Sequence, residues 1–381
     1  MHFQELDLMI KILHIHLSSK ISGAQRVSLD EMKTLSNHYS QYMVCSKEGD
    51  FTQEADRIGV KTYVIETLVR EISPLKDFYS LIKLYKFIKQ EKFDIIHTHS
   101  SKSGFLGRLA AKLAGTKQII HTVHGFAFPS TSNRVVKLIY FLMEYFASLC
   151  SSVIIVMNEN DEKIARKYFS SAPWTKVTLL NNAVDIKKFQ KRYIGIESKS
   201  EINEQKKFKM VMIGRLCEQK NPLLIINALK ILGDHYYVDF VGDGPLRSDL
   251  ESQIAKRGLE KRVRLLGWCS SVEEIIFKYD LFLLPSKWEG MPLAILEAMA
   301  SKVPVLCSNI DANAYLINKT SGFLFNNDDA KDLAKNIKYI FDNVDVRRKV
   351  AEDAYLAVVK DFELSERTKI LESIYTNNYF L

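Results

Sequence analysis

Residues 285–298 read Pro285-Ser286-Lys287-Trp288-Glu289-Gly290-Met291-Pro292-Leu293-Ala294-Ile295-Leu296-Glu297-Ala298. The residues just before them, Leu281-Phe282-Leu283-Leu284, form a short unbroken apolar run. A run of that length without alternation is what a strand buried on both faces of a parallel sheet presents. On the other side, Pro292 suits the first position of a helix, and the residues that follow extend it to Ala300. The stretch therefore reads strand–loop–helix, with Glu289 in a loop at the strand's carboxyl end. Open parallel sheets bind ligands at that end. Gly290 lets the backbone approach a ligand or turn sharply. The helix amino end aims its free N–H groups into the same crevice and favours an anion. Glu297, about five residues further on, faces the crevice as well. Carboxylates accept hydrogen bonds from pairs of hydroxyls. Alone, Glu289 reads as a helix cap and Glu297 as surface charge. Together at this spacing, with Gly290 and Pro292, they point to a polyhydroxyl ligand.

The same punctuation recurs upstream. Ile213-Gly214-Arg215-Leu216 follows the strand Met210–Ile213, and Lys220-Asn221-Pro222 leads into the helix Pro222–Leu232. Two cations beside a helix amino terminus suit a diphosphate: arginine engages phosphate through two N–H bonds, lysine as a compact charge. Each is equally an ordinary loop cation when taken alone. Val241-Gly242-Asp243-Gly244-Pro245 follows the strand Tyr237–Val241; a G-x-G here is a tight strand-to-helix turn that adds a further ligand-side loop. Trp268, after Gly267 and the strand Val263–Leu266, either flanks a nucleotide base or simply packs. Near the amino terminus, Ser22-Gly23-Ala24-Gln25-Arg26 joins the strand Ile10–Leu17 to the helix Ala24–Ser36, and Gly23 either lets backbone amides meet a phosphate or forms a plain turn.

Short apolar strands alternating with helices imply βαβ units and parallel sheets. They occur in two series. The first has strands at Tyr42–Cys45, Thr62–Ile65, Ile95–Thr98, Gln118–Val123 and Val153–Met157, with helices over Asp77–Glu91 and Gly104–Ala114. The second starts at Met210 and includes a helix over Val272–Lys278 and the strand Val305–Cys307. Between them, residues 186–209 are charged and turn-rich. The chain is thus expected to hold a first domain over 1–185, a linker over 186–209, and a second domain over 210–360. A helical segment over 361–381 is expected to pack back on the first domain. A length of 381 residues fits two domains. The expected fold is α/β, with two Rossmann-like parallel-sheet domains facing across a cleft.

A formal charge of +8 favours anionic partners, but no nucleic-acid recognition motif accompanies it. The five cysteines lack metal or disulfide spacing. The apolar stretch Val135–Met157 is interrupted by Lys137 and Glu144, which argues against a membrane span. His97, His99, His121 and His124 invite a metal reading, yet no carboxylate lies near them in the sequence, and ordinary strand-end residues are favoured. His124, followed by Gly125 at a strand end, is placed to bond a donor hydroxyl or position an acceptor. From Ile95 to Met143 no acid occurs, while Lys102 and Arg108 fall within that stretch beside Phe105 and Phe126. Lys102, Arg108 and Phe126 are therefore candidates for contact with an acceptor diphosphate or an anionic membrane surface.

Taken together, these strings resemble the retaining glycosyltransferases of family four, which have the GT-B fold. The resemblance rests on Gly214–Leu216 with Lys220-Asn221-Pro222, on Val241–Pro245, on Glu289–Ala294 and on the spacing of Glu289 and Glu297. In the first half, His97–Arg108, His121–Phe128 and Asn181-Asn182-Ala183-Val184-Asp185 resemble a bacterial subgroup that builds capsule, O-antigen and lipid-linked glycans. Ala183, Ser22 and Gln25 depart from the usual residues. The resemblance implies that Arg215 and Lys220 bind the donor diphosphate, and that Glu297 binds ribose hydroxyls. It implies that Glu289 contacts the transferred sugar, with Gly290 and Met291 offering N–H groups beside Pro292 and Leu293, and that His124 sits near the reacting carbon. It further implies a UDP-linked hexose or N-acetylhexosamine donor, a saccharide acceptor on undecaprenyl diphosphate, and a cytoplasmic protein peripheral at the inner membrane face. No cofactor is expected, and the absence of D-x-D disfavours a metal-dependent mechanism. The alternatives are a sugar-nucleotide 2-epimerase of similar architecture and a catalytically inactive nucleotide-sugar binder.

Overall fold

A computed structural model describes residues 9–126, 128, 133–190 and 207–376. The chain divides into two compact units, Met1–Asn181 with Leu364–Leu381, and Asn182–Glu363.

In the first unit, strands and helices alternate. They are β1 (Ile10–Ile15), α1 (Gly23–Thr34), β2 (Tyr39–Cys45), α2 (Asp50–Arg57), β3 (Lys61–Val64), α3 (Pro74–Glu91), β4 (Ile95–His99), α4 (Ser101–Ala114), β5 (Gln118–Val123), α5 (Arg134–Ser148), β6 (Val153–Val156), α6 (Glu159–Tyr168) and β7 (Lys176–Leu179). Among the described residues the strands form one sheet in the order β3-β2-β1-β4-β5-β6-β7, and the pairings are parallel. Helices cover the centre of the sheet, and every residue of β4, β5 and β6 is buried, polar ones included.

The second unit follows the same plan. It runs α7 (Ile186–Gln190), β8 (Phe208–Ile213), α8 (Pro222–Leu229), β9 (Tyr236–Val241), α9 (Arg247–Lys256), β10 (Val263–Gly267), β11 (Leu281–Leu284), α10 (Leu293–Ala300), β12 (Val305–Ser308), α11 (Asp311–Lys319), β13 (Phe323–Phe325), α12 (Ala330–Asp342) and α13 (Val344–Asp361). The sheet order is β10-β9-β8-β11-β12-β13, again parallel. In both sheets the order reverses beside the first strand, at β1/β4 and at β8/β11. A parallel sheet forms its ligand crevice at such a switch point.

Several expectations change. The second unit begins at Asn182, and Ile186–Gln190 form α7 within it, whereas the sequence reading assigned 186–209 to a linker; residues 191–206 of that linker lie outside the described residues. A parallel bridge from Val184 to Glu363 sets the entry and exit of this unit side by side. The last helix, α14 (Leu364–Tyr375), belongs to the first unit. There Arg367 forms a buried ion pair with Glu31, and Tyr375 donates to or accepts from His97 Nδ1 at 2.7 Å. Residues 377–381 of the expected terminal segment lie outside the described residues. The expected helix Val272–Lys278 is instead two 3-10 turns, Val272–Glu274 and Ile276–Lys278. Elements α2, α6, β7, α11 and β13 were not expected; β7 and β13 are sheet edges, where short or half-polar sequences carry weak periodicity.

Candidate active site

The switch point of the second unit brings two loops together. One leaves β8 and carries Gly214, Arg215 and Lys220; the other leaves β11 and carries Ser286 to Met291. Backbone and side chains tie them. Lys287 N donates to Gln219 O at 2.8 Å, and Gln219 Nε2 donates to Trp288 O at 3.0 Å. Lys220 Nζ lies 2.5 Å from Glu289 Oε1, and Ser286 Oγ donates to the same oxygen at 2.5 Å. The Glu289 side chain is 7 % exposed and that of Lys220 18 %. A cation and a carboxylate separated by 69 positions thus share one place. Arg215 stands beside them, exposed and without an ion-pair partner among the described residues. The helix α10 begins at Leu293, so Pro292 is its N-cap rather than its first helical residue. Leu293 is buried and Glu297 half-buried.

Asn182 has a role that its sequence context did not reveal. Its Nδ2 donates to Met291 O at 2.7 Å, and its backbone N lies 3.1 Å from Met291 Sδ. The buried amide therefore holds the Glu289–Met291 loop from behind. Two glycines are required for the third loop. Gly242 has φ +143, and a Cβ there would lie 2.0 Å from Gly214 O; a Cβ on Gly244 would lie 2.3 Å from Leu216 O. The turn after β9 thus presses against the turn after β8 at backbone-to-backbone distance. Trp268 is exposed and follows Gly267, whose carbonyl accepts from Gly242 N at 2.7 Å. Gly23 is the first residue of α1 in the other unit; a Cβ there would meet nothing within 4 Å.

In the first unit a pocket of about 150 Å³ opens at the carboxyl ends of β4 and β5, lined by Ser100, His121, His124, Phe126 and Glu144 among others. Ser100 has φ +65 at the N-cap of α4, a left-handed conformation uncommon outside glycine. His99 Nδ1 and His124 Nε2 are 3.2 Å apart. Burial, with the Arg367 charge second, lowers the His124 pKa to about 3. Its ring is therefore neutral near pH 7 and can both donate and accept.

His14 of β1 and His16, just past its end, join this cluster. Register pairs His14 with His97 across β1 and β4, and His16 stacks on His99 at 4.1 Å. The paired H-x-H strings on adjacent parallel strands were the available signal. Nitrogens of His14, His97 and His99 approach within 4.8 Å of one another. His97, however, commits both ring nitrogens, at 2.7 Å each, to Tyr375 and Thr122. Only His14 and His99 retain an open nitrogen in that trio, which is fewer ligands than a stable transition-metal site uses. A carboxylate is nearby after all: Glu144 Oε2 lies 3.9 Å from His121 Nε2.

The structure corrects the reading of Lys102 and Arg108 as contacts to an acceptor diphosphate or a membrane, and of Phe126 as a membrane contact. All are buried. Lys102 Nζ pairs with Asp77 at 2.6 Å, and Arg108 pairs with Glu144 at 2.7 Å. The local sequence is free of acids, but α3 and α5 supply them in space. Phe126 packs with Phe128 and Phe169 and also lines the pocket.

Two Rossmann-like units, one with a cation–carboxylate locus at its switch point and one with a histidine-walled pocket, define a GT-B glycosyltransferase. The chain belongs to the glycosyltransferase family four and group 1 transferases. The model described as "Glycosyltransferase Family 4" matches residues 21–188, and that described as "Glycosyl transferases group 1" matches 195–357. The UDP-Gal:alpha-D-GlcNAc-diphosphoundecaprenol alpha-1,3-galactosyltransferase of Escherichia coli is 39% identical over 377 residues, 96% of each chain. The O-antigen biosynthesis glycosyltransferase WbnH of Escherichia coli is 26% identical, covering 87% of this chain and 90% of its own. In fold, the crystal structure of Anabaena HepE with UDP and glucose superposes with a TM-score of 0.81 at 19% identity, covering 97% of this chain and 100% of that one.

Proposed function

We propose that this glycosyltransferase moves galactose from UDP-galactose to an N-acetylglucosaminyl diphosphate lipid of the undecaprenol type, at the membrane face and with retention. The observation that carries the site assignment is the Lys220–Glu289 pair at the β8/β11 switch point. Likeness to the Escherichia coli galactosyltransferase along nearly the whole chain supports the choice of substrates.

The chemistry follows from charge. The bond between the sugar C1 and the diphosphate oxygen breaks, and its electron pair leaves with UDP. Arg215, Lys220 and the amino end of α10 meet that growing negative charge. Glu289 accepts hydrogen bonds from the sugar hydroxyls, and Glu297 from the ribose. The acceptor hydroxyl attacks C1 on the face that the diphosphate leaves and passes its proton to the departing diphosphate. In this reading the charge is neutralised by side chains and amides, without a metal. The pocket of the first unit takes the acceptor, with His124 as a neutral hydrogen-bonding group. Helix termini and backbone glycines serve the donor in this reading; Gly242, Gly290, Met291, Pro292 and Leu293 shape its bed, and the exposure of Trp268 supports a role for it in flanking the base.

The test is a panel of UDP-sugars incubated with a synthetic GlcNAc-diphosphate carrying a short lipid, with product analysed by mass spectrometry and anomeric NMR. Transfer from UDP-galactose with an α-linkage is the expected outcome. Turnover of another donor in its place, or a β-linkage, overturns the assignment.

A further inference from the structure

Helix α5 is amphipathic in the unusual sense, with apolar residues outward. Val135, Leu138, Ile139, Leu142 and Phe146 are 39–67 % exposed. At 3.6 residues per turn they fall within an arc of about 100°. The opposite side holds Glu144, Ala147 and Ser148, all buried. Glu144 is the helix's one acid, and it is neutralised by Arg108 inside the fold. Solvent-side cations remain at the amino end, where Arg134 and Lys137 are exposed. A contiguous apolar stripe of this kind on a surface helix signals a partner.

The margin of the stripe identifies that partner. Trp174 is 56 % exposed, and its indole N–H donates to Leu149 O, just past the end of α5, at 3.1 Å. The ring can therefore enter an apolar boundary without carrying an unsatisfied donor. Lys112 lies over its face at 5.5 Å, and Leu113 beside it is exposed. Aliphatics in a stripe, tryptophan at its edge and exposed cations at its amino end match the layered chemistry of a bilayer surface with anionic headgroups.

We infer that the outward face of α5, continued by Trp174, docks on an anionic lipid bilayer, and that the same helix presents the pocket to a lipid-borne acceptor through Glu144. The inference rests on the proposed lipid-linked acceptor for its biological sense, but its surface is measurable without any transfer. It differs from the expectation drawn from Lys102 and Arg108, which are buried.

The full chain is mixed with phosphatidylcholine–phosphatidylglycerol vesicles and floated. Wild type is expected to float, and the variant carrying Leu138→Ser, Leu142→Ser and Phe146→Ser to partition at least about tenfold more weakly. Transfer to an acceptor with a water-soluble short chain should be unchanged in that variant, and transfer to a long-chain acceptor in vesicles should fall. Hydrogen exchange on wild type, which needs no variant, should show vesicle-dependent protection over residues 134–148 and at Trp174. Equal flotation of variant and wild type, or protection elsewhere only, overturns the inference. So does a concentration-dependent dimer that the variant abolishes, because the stripe would then cover a second copy. Flotation without transfer from any donor would instead sink the functional reading and leave the docking face standing.

Discussion

Lys220 Nζ and Glu289 Oε1 meet at 2.5 Å although 69 positions separate them, because β8 and β11 are neighbours in the second sheet and each residue lies in the loop that leaves its strand's carboxyl end. The diphosphate and sugar of a nucleotide-sugar likewise adjoin, and under the proposed function this one contact would set a group for each next to the other.

Removing either partner should damage turnover far more than folding. Lys220→Ala and Glu289→Gln are each expected to lower kcat by about 10²–10³-fold. The melting temperature should move by only a few degrees, since Ser286 still bonds position 289. Steady-state kinetics beside thermal melts check this; near-normal kcat in either variant removes that residue from the mechanism.

Asn182→Ala should act through the loop that it braces. Loss of the bond to Met291 O leaves a buried carbonyl unpaired, at ~1–2 kcal/mol. The donor KM should rise several-fold more than the acceptor KM. A parallel change in both would mean that Asn182 serves stability alone.

Glycine substitutions separate fold from ligand. Gly242→Ala sets a Cβ against Gly214 O and carries a φ of +143, so a loss of about 3 kcal/mol or more is expected in urea titration. Gly23→Ala meets open space and should leave stability unchanged. If the turn of Gly23 touches a phosphate, the latter variant will show weakened ligand affinity with the same denaturation midpoint.

Acid should unfold the first unit early. Burial lowers the pKa of His14 to about 3, and His16, His97, His99 and His121 are lowered for the same leading reason. The unfolded chain titrates these groups near 6.5 and therefore binds more protons below that pH. Stability is whole above about pH 6.5 and drains as pH falls towards 3, by up to ~1.4 kcal/mol per pH unit for each histidine. A melting temperature that stays level from pH 7 to 5 would contradict the buried neutral cluster.

Arg108→Met should be costly for a reason unrelated to ligands. It strands Glu144 in a buried site, and ~3–5 kcal/mol is expected. The double variant Arg108→Met, Glu144→Leu should recover much of that loss. Chemical denaturation of the two variants decides it; an equal loss in both would show that the charge pair is not the issue.

The sequence by itself determined the βαβ alternation, the two parallel-sheet units and the strand-end loops of the second, though not where one unit gives way to the other. Each depends on neighbours in the chain: an apolar run long enough for one buried strand, a glycine where the backbone turns, a proline at a helix start. The loop positions of Arg215, Lys220 and Glu289 beyond their strands, and of Glu297 in the helix that follows, were legible for that reason. Tertiary structure decided which distant residues meet. Sheet order brought Glu289 to Lys220 and His14 to His97, and the packing of the segment before α7 brought Asn182 to the back of Met291. It also turned Lys102 and Arg108 inward, because acids on α3 and α5 neutralise them, and left the aliphatics of α5 facing out. A local charge count cannot see a counter-ion that arrives from another helix; only packing of the elements, which fixes what each side chain faces, supplies it.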